Sequence, residues 1–415
     1  MTMPNKKANQ NDRISDLPGN VIDAILANLR IRDQVRTSIL STKWRYMWTS
    51  APHLCFDDDF CQRFLDLDDP STVISEIITD VLMIHNGPIH KFSIYLSIHY
   101  DFMFSMENLN TWIPFMSKDI KHLELVAPYA NREDEMADIL FSCKELTYLK
   151  FSFFNLLIPN NFRSFKKLLE LHLNSIEFDS SSLESFMSGC PLLEKLSIAY
   201  CYDHSCDYLV ISSPSLKVLM LESTMMNLIC LKGAKNLIDF TLKGFLNIGF
   251  IKSLPEIKRF SLTNWGKYDV KIPPMLATSS FSSLEYLKLD DLDLNDKGDI
   301  LYLVRVLKSA PSLIELVIKQ SYNYDDTTQV SDYSEELECL SCNLKLQTVD
   351  VYFRANSQYA MSLIQFILVN SPLLKILTLD YSSIELDAAM FRISQDLLLM
   401  ERALARINLL PCDSS

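Results

Sequence analysis

A chain of 415 residues is long for one compact domain and divides most naturally into a small module and a large body. Its usage is ordinary globular, 48% hydrophobic and 22% charged, which excludes a disordered or fibrous chain. A formal net charge of −13 argues against a long contact with a phosphate backbone, and the 8 glycines form neither G-x-G-x-x-G nor G-x-x-x-x-G-K-[ST], so no nucleic-acid or nucleotide partner is expected.

The opening residues, MTMPNKKANQNDR, are positively charged but lead into no apolar core, so a signal peptide is not expected, and residues 1–11 read as a disordered N-terminus. No apolar run approaches the roughly 18 residues of a membrane span. The ten cysteines are irregularly spaced and no N-x-[ST] sequon occurs, which points to reduced thiols in the nucleus or cytoplasm and not to a secreted protein.

From Ser15 the text SDLPGNVIDAILANLRIRDQVRTSILSTKWRYMW has helical periodicity. Asp16 or Ser15 can cap a first helix, Pro18 suits its first turn, and Ile22, Ile25, Leu26 and Leu29 share one face. A second start at Asp33 precedes Val35, Ile39 and Leu40, and a third at Ser41 precedes Trp44 and Trp48 at i and i+4. Three short helices cannot bury so many large side chains alone, so some of this surface belongs to a partner.

The Leu17-Pro18 pair, Ile22, Ile25, Leu26, Val35, the run from Arg36 to Trp48 and HLCFDDDF from His53 make this segment, residues 12–56, resemble the plant F-box that precedes leucine-rich repeats. Arg30 departs from that pattern, since many relatives carry proline there. The resemblance implies a Skp-type adaptor as partner and, through it, a cullin, with Leu17, Pro18, Ile22, Ile25, Leu26 and Leu40 on the adaptor face. The same residues can instead close a three-helix core, a reading at least as strong for Val35, Ile39 and Trp44.

Residues 57–330 repeat the phrase apolar-x-x-apolar-x-apolar: IKHLEL from Ile120, LTYLKF from Leu146, LLELHL from Leu168, LEKLSI from Leu193, LKVLML from Leu216, LIDFTL from Leu237, IKRFSL from Ile257, LEYLKL from Leu284 and LIELVI from Leu313. LQTVDV from Leu346 and LKILTL from Leu374 continue it, and IHKFSI from Ile89 is a weaker copy. CPLLEKLSI, SPSLKVLML, APSLIELVI and SPLLKILTL share a small residue-proline lead-in. The expected fold is therefore α/β, a three-helix F-box followed by a curved solenoid whose parallel strands line its concave face.

In such strands the leucines are core and the residues between them face the concave surface. At the position between the last two apolar residues these are Glu124, Lys150, His172, Ser197, Met220, Thr241, Ser261, Lys288, Val317, Asp350 and Thr378, with no continuous basic stripe. The richest cluster of anchor-type residues, Arg259, Trp265, Lys267, Tyr286, Lys288, Lys319, Tyr352 and Arg354, is the candidate target-binding set, although Trp265 and Tyr286 can equally cover edges between repeats. QSYNYDDTTQVSDYSEELECLSCNL, from Gln320, reads as a disordered acidic surface loop.

Residues 331–411 resemble the FBD region that closes plant F-box/leucine-rich-repeat proteins, which implies a cap on the open end of the solenoid, finished by a helix over about Ser394–Ile407. Cys201, His204 and Cys206, and the pair Cys339 and Cys342, lack the second ligand pair of a structural zinc site, so neither metal nor cofactor is expected. The acidic runs Asp57-Asp58-Asp59 and Asp68-Asp69 have no nucleophile or phosphate loop beside them and read as solvated charge. The chain is thus expected to be a non-catalytic substrate-recognition subunit of an SCF-type cullin-RING ubiquitin ligase. The rivals are a scaffold or decoy that delivers nothing and a receptor in which a small molecule glues the target.

Overall fold

A computed structural model of the chain describes residues 14, 16–95, 106–126, 138–152, 155–156, 164–178, 180–203, 208–222, 228–231, 233–244, 251–252, 256–263, 281–294, 297–320, 342–354, 358–382, 386–399 and 405–412. The chain forms two compact units, Met1–Phe178 with Gly189–Leu192, and Asp179–Ser188 with Leu193–Ser415.

The first unit opens with helix α1 (Gly19–Ala27), helix α2 (Ile31–Arg36) and two 3-10 segments, Thr37–Ile39 and Trp44–Ser50. Helix α1 does not use the expected Asp16 cap. Pro18 occupies the N-cap with no side-chain bond, and its carbonyl accepts from the Val21 and Ile22 amides at 2.9 and 3.1 Å. Helix α2 starts before the expected Asp33, because extended Arg30 serves as its N-cap and leaves Asp33 in the first turn, 3.2 Å from Arg36. The Arg30 φ of −67° is one a proline would also impose, so the departure from the F-box pattern leaves the turn unchanged. Its guanidinium instead pairs with Asp57, at 3.3 Å, and with Asp59.

The start at Ser41 is real, its hydroxyl accepting from the Trp44 amide at 3.3 Å. The segment it opens is a 3-10 helix, however, and three residues per turn take Trp48 off the face of Trp44. Trp44 is 1% exposed and joins Ile22, Leu26 and Ala51 in a small core, against which Leu17, Leu29 and Met47 pack.

A buried amide ties this core together. Gln34, 0% exposed, donates from Nε2 toward the carbonyls of Leu26, Leu29 and His53 at 2.9, 3.0 and 2.8 Å, linking the end of α1 to α2 and to the first strand. The His53 ring adds a bond from Nδ1 to the Ala27 carbonyl at 3.0 Å.

The repeat phrases form a ladder of parallel strands in each unit. In the first, Lys91–Tyr95, His122–Val126, Tyr148–Ser152 and Glu170–Asn174 pair in register, preceded by His53–Phe56, which pairs with Lys91–Tyr95. In the second, Lys195–Ala199, Val218–Glu222, Asp239–Lys243, Arg259–Thr263, Tyr286–Leu292, Glu315–Gln320, Thr348–Arg354, Ile376–Ser382 and Arg406–Cys412 pair in that order. Every expected phrase is a strand, including the weak copy at Ile89.

Two strands exceed expectation. His53–Phe56 falls in the F-box likeness, yet APHLCF from Ala51 fits the same phrase, with Ala51, Leu54 and Phe56 all buried. The expected terminal helix over Ser394–Ile407 lies earlier, at Leu386–Leu399, and the chain then closes on Arg406–Cys412, where LARINL from Leu404 repeats the phrase once more.

The physical basis of the phrase is visible throughout. Its second and third apolar residues, such as Leu219 and Leu221 or Leu316 and Ile318, are fully buried. Each such side chain contributes about 1.5–3 kcal/mol on leaving water. The lead-in makes a turn: the Leu216, Leu313 and Leu374 amides donate to the Ser213, Ala310 and Ser371 carbonyls at 3.3, 3.1 and 3.1 Å. Pro214, Pro311 and Pro372 sit second in these turns, where a fixed φ near −65° is favoured. The Gln320–Leu344 stretch lies almost wholly outside the described residues.

Candidate functional site

Two surfaces carry the expected recognition residues. The first is the helical module. Leu17 is half-buried against the core with the rest of its surface open; Pro18 is exposed, Ile25 is 38% exposed and Leu40 53%, so the last three are presented to solvent. Ile22 and Leu26 are not: at 3% and 0% exposure they lie in the small core, and for these two the structure replaces the expected contact role with a packing one. The reverse holds for Val35 and Ile39, read above as equally good core residues, which are 38% and 87% exposed; only Trp44 of that trio is core. With Ile14, Val21 and Tyr46, the module exposes seven large apolar side chains within 33 residues, far more than singly scattered surface hydrophobics.

The second surface is the polar face of the second unit's strands. Arg259, Tyr286, Lys288, Lys319 and Tyr352 all stand on it, because each alternates with buried neighbours in its strand. Register sets Arg259 opposite Tyr286 and Lys319 opposite Tyr352. The guanidinium of Arg259 lies 3.8 Å from the Tyr286 ring centroid and 3.5 Å from the Asp239 carboxylate, and the Lys319 ammonium sits 4.6 Å from the Tyr352 centroid. Lys288 pairs with Asp290 at 3.1 Å. Desolvation raises the Tyr286 and Tyr352 hydroxyls and the Asp239 carboxyl above their ordinary values, Arg259 partly offsetting the last.

Tyr286 is thus half-covered by Arg259 and remains on the surface of the face. Trp265 and Lys267 lie outside the described residues, as do His204, Cys206 and Cys339, and Arg354 ends its strand opposite Ser382. Sequence reasoning passed over Asp239 and Asp290, the carboxylates that hold the two cations in place. Their signal was available, since each occupies an alternate position in a repeat strand. Among the described residues, no group of three or more His, Cys, Asp or Glu is placed to hold a metal ion. No described helix is long and apolar enough to cross a membrane.

A helical module with an exposed apolar face, followed by parallel strands built on one leucine-rich phrase, defines an F-box protein with leucine-rich repeats. Family models agree: the F-box domain matches residues 14–55, and the leucine-rich repeats of the FBD-associated F-box protein At5g56370 match residues 109–247. The F-box/FBD/LRR-repeat protein At1g13570 of Arabidopsis thaliana is 30% identical over 91% of this chain and 93% of its own length. The putative FBD-associated F-box protein At5g53635 and the putative F-box/FBD/LRR-repeat protein At1g66290, both from Arabidopsis thaliana, are 27% and 26% identical over 89% and 91% of this chain, and over 95% and 90% of their own lengths. The chain belongs to the plant F-box/FBD/LRR-repeat family.

Proposed function

We propose that this chain is the substrate-recognition subunit of an SCF-type cullin-RING ubiquitin ligase, working in the nucleus or cytoplasm. The F-box holds a Skp-type adaptor, and through it a cullin, while the strand face of the second unit holds a protein target. Leu17, Pro18, Ile25 and Leu40, joined by Val35 and Ile39, form the adaptor face; Arg259, Tyr286, Lys288, Lys319 and Tyr352 form the target face, and Arg354 and, outside the described residues, Trp265 and Lys267 belong to the same proposed target-binding set.

The observation that carries this reading is the exposed apolar surface of the helical module, above all Ile39 at 87% and Leu40 at 53%. The module has already closed its core on Ile22, Leu26 and Trp44, and neither side chain belongs to that core. Burying them on a partner is the favourable process that remains. The chain itself transfers no ubiquitin; it raises the concentration of a target near the charged carrier that other subunits supply.

The test is co-purification with a plant Skp-type adaptor. Wild type is expected to capture the adaptor in stoichiometric amount, and a Leu17→Ala/Pro18→Ala or an Ile39→Asp/Leu40→Asp double variant with wild-type melting to lose it. Failure of the wild type to capture adaptor overturns the reading.

A further inference from the structure

A second cluster of ring and charged side chains, none of them in the target set above, stands on the polar face of the first unit's strands. Its centre is Tyr148. The His122 ring stacks on Tyr148 with centroids 3.9 Å apart and planes 3° apart, and the His172 ring packs against it at 5.1 Å. Register makes His122 and Tyr148 direct neighbours, and likewise Lys150 and His172.

The cluster divides into a saturated half and an unsatisfied half. On one side Glu124 is fully engaged: it accepts from Ser93 Oγ at 3.2 Å, bonds His122 Nε2, and pairs with the Lys91 ammonium at 3.6 Å. These donors hold its carboxyl down at about 2, so it is ionised and spoken for at neutral pH. On the other side the cationic groups are only loosely matched. His172 Nε2 is buried without a hydrogen bond, the nearest carboxylate, that of Glu170, standing 3.7 Å away. The Lys150 ammonium lies over the Tyr95 ring at 5.2 Å and pairs with no carboxylate among the described residues. A buried polar atom without a close partner is costly, a cost that an incoming acceptor removes.

We infer that Lys150 and His172, with the Tyr148 ring packed against His172, form a seat for a carboxylate side chain of an acidic segment in the protein target. The inference rests on the reading of the strand face as a target-holding surface and adds where on the chain, and by what chemistry, an acidic residue is taken. An anion there supplies His172 with an acceptor and neutralises Lys150, while the stacked His122, itself held by the ionised Glu124, keeps Tyr148 in place. Burial and the charge of Lys150 lower the His172 imidazole below its ordinary value, and Glu170 and Glu124 raise it in opposition. A bound carboxylate adds a further negative charge and therefore raises it, giving a signature that an apolar contact would not produce.

The experiment follows the His172 imidazole by NMR in the full chain, assigned with His172→Gln, during titration with an acetylated tetra-glutamate peptide amide, its tetra-glutamine counterpart and inorganic phosphate. Tetra-glutamate is expected to move the His172 signals and raise the pH of their titration midpoint, with affinity falling at high salt. Tetra-glutamine is expected to do nothing. Lys150→Met, checked for wild-type melting, is expected to bind about tenfold more weakly, as loss of one charge-assisted hydrogen bond implies.

A His172 that does not respond to tetra-glutamate, responds equally to tetra-glutamine, or responds equally in Lys150→Met overturns the seat. A response to phosphate stronger than to tetra-glutamate overturns the assignment to a carboxylate. A wild-type chain that captures adaptor yet leaves His172 silent refutes this site alone, whereas absence of adaptor capture refutes the function on which it rests.

Discussion

Gln34 is the residue whose side chain ties the helical module to the first strand. Its Nε2 stands within 3.0 Å of three carbonyls, those of Leu26, Leu29 and His53, and the residue is 0% exposed, so no solvent can replace it. Replacement by leucine, similar in size, removes a donor of two hydrogens and leaves carbonyls stranded. The Leu26 carbonyl keeps the Leu29 amide at 3.0 Å, which leaves two acceptors at risk. Two lost bonds at about 1–1.5 kcal/mol each, plus the stranding cost, suggest about 3–4 kcal/mol. Gln34 Oε1 is itself buried without a partner, so removing it returns about 1 kcal/mol, for a net destabilisation of about 2–3 kcal/mol. Urea denaturation followed by tryptophan fluorescence, with Trp44 in this core as reporter, measures it. Gln34→Glu sharpens the test, since a neutral carboxyl can donate one hydrogen and a carboxylate none. The carboxyl's pKa in the folded variant is therefore raised, and the variant's stability falls as pH rises through it. If Gln34→Leu unfolds within about 0.5 kcal/mol of wild type, the amide does not hold the helices to the strand and the argument fails.

The adaptor face separates binding from folding: Ile39→Asp/Leu40→Asp is expected to leave melting unchanged and weaken adaptor capture at least about tenfold in a pull-down titration, because the charges would be buried only in the complex. Leu219→Ala, in a fully buried strand position, is expected to cost about 2–5 kcal/mol by equilibrium unfolding. Glu124, held down at about 2 in the folded chain against an ordinary 4.5, lends stability that is present above about 4.5 and lost as pH falls toward 2; Glu124→Gln is expected to flatten unfolding free energy across that window. Arg259→Ala removes an exposed ion pair and a ring contact, so unfolding free energy should shift by less than about 1 kcal/mol while capture of the target falls, read by affinity purification of wild type and variant side by side.

The repeats were legible because their signal is redundant. One buried phrase recurs with period-two alternation, and each copy corroborates the next. The same rule placed Arg259, Tyr286, Lys288, Lys319 and Tyr352 on one face, since alternation alone decides which way a strand residue points. Where the reading missed, a stronger local signal hid the phrase. At Ala51 the phrase overlaps the F-box likeness, and at Leu404 a helical pattern runs into a strand that fits the repeat as well as any other.

The F-box interior was legible as three helical segments but not as inside and outside, for a physical reason. In helices this short, a face of four apolar residues contains more area than the module can bury, so spacing cannot say which member is core. Ile22 and Leu26, four apart, point inward, and Ile25, between them in sequence, points out; the decision is made by Trp44, brought beneath α1 by a 3-10 segment that the helical spacing of Trp44 and Trp48 had disguised. Gln34 escaped notice for the converse reason. An amide in an amphipathic stretch looks like surface until the end of α1 and the start of the sheet bring three carbonyls around it, and those carbonyls belong to backbone whose approach only the folded chain defines. The Lys150 and His172 pair is of the same kind: alternation put both on the polar face, but that Glu124 is already satisfied while they are not is a property of the pairing register, and it is this asymmetry that marks where on that face a partner's charge would settle.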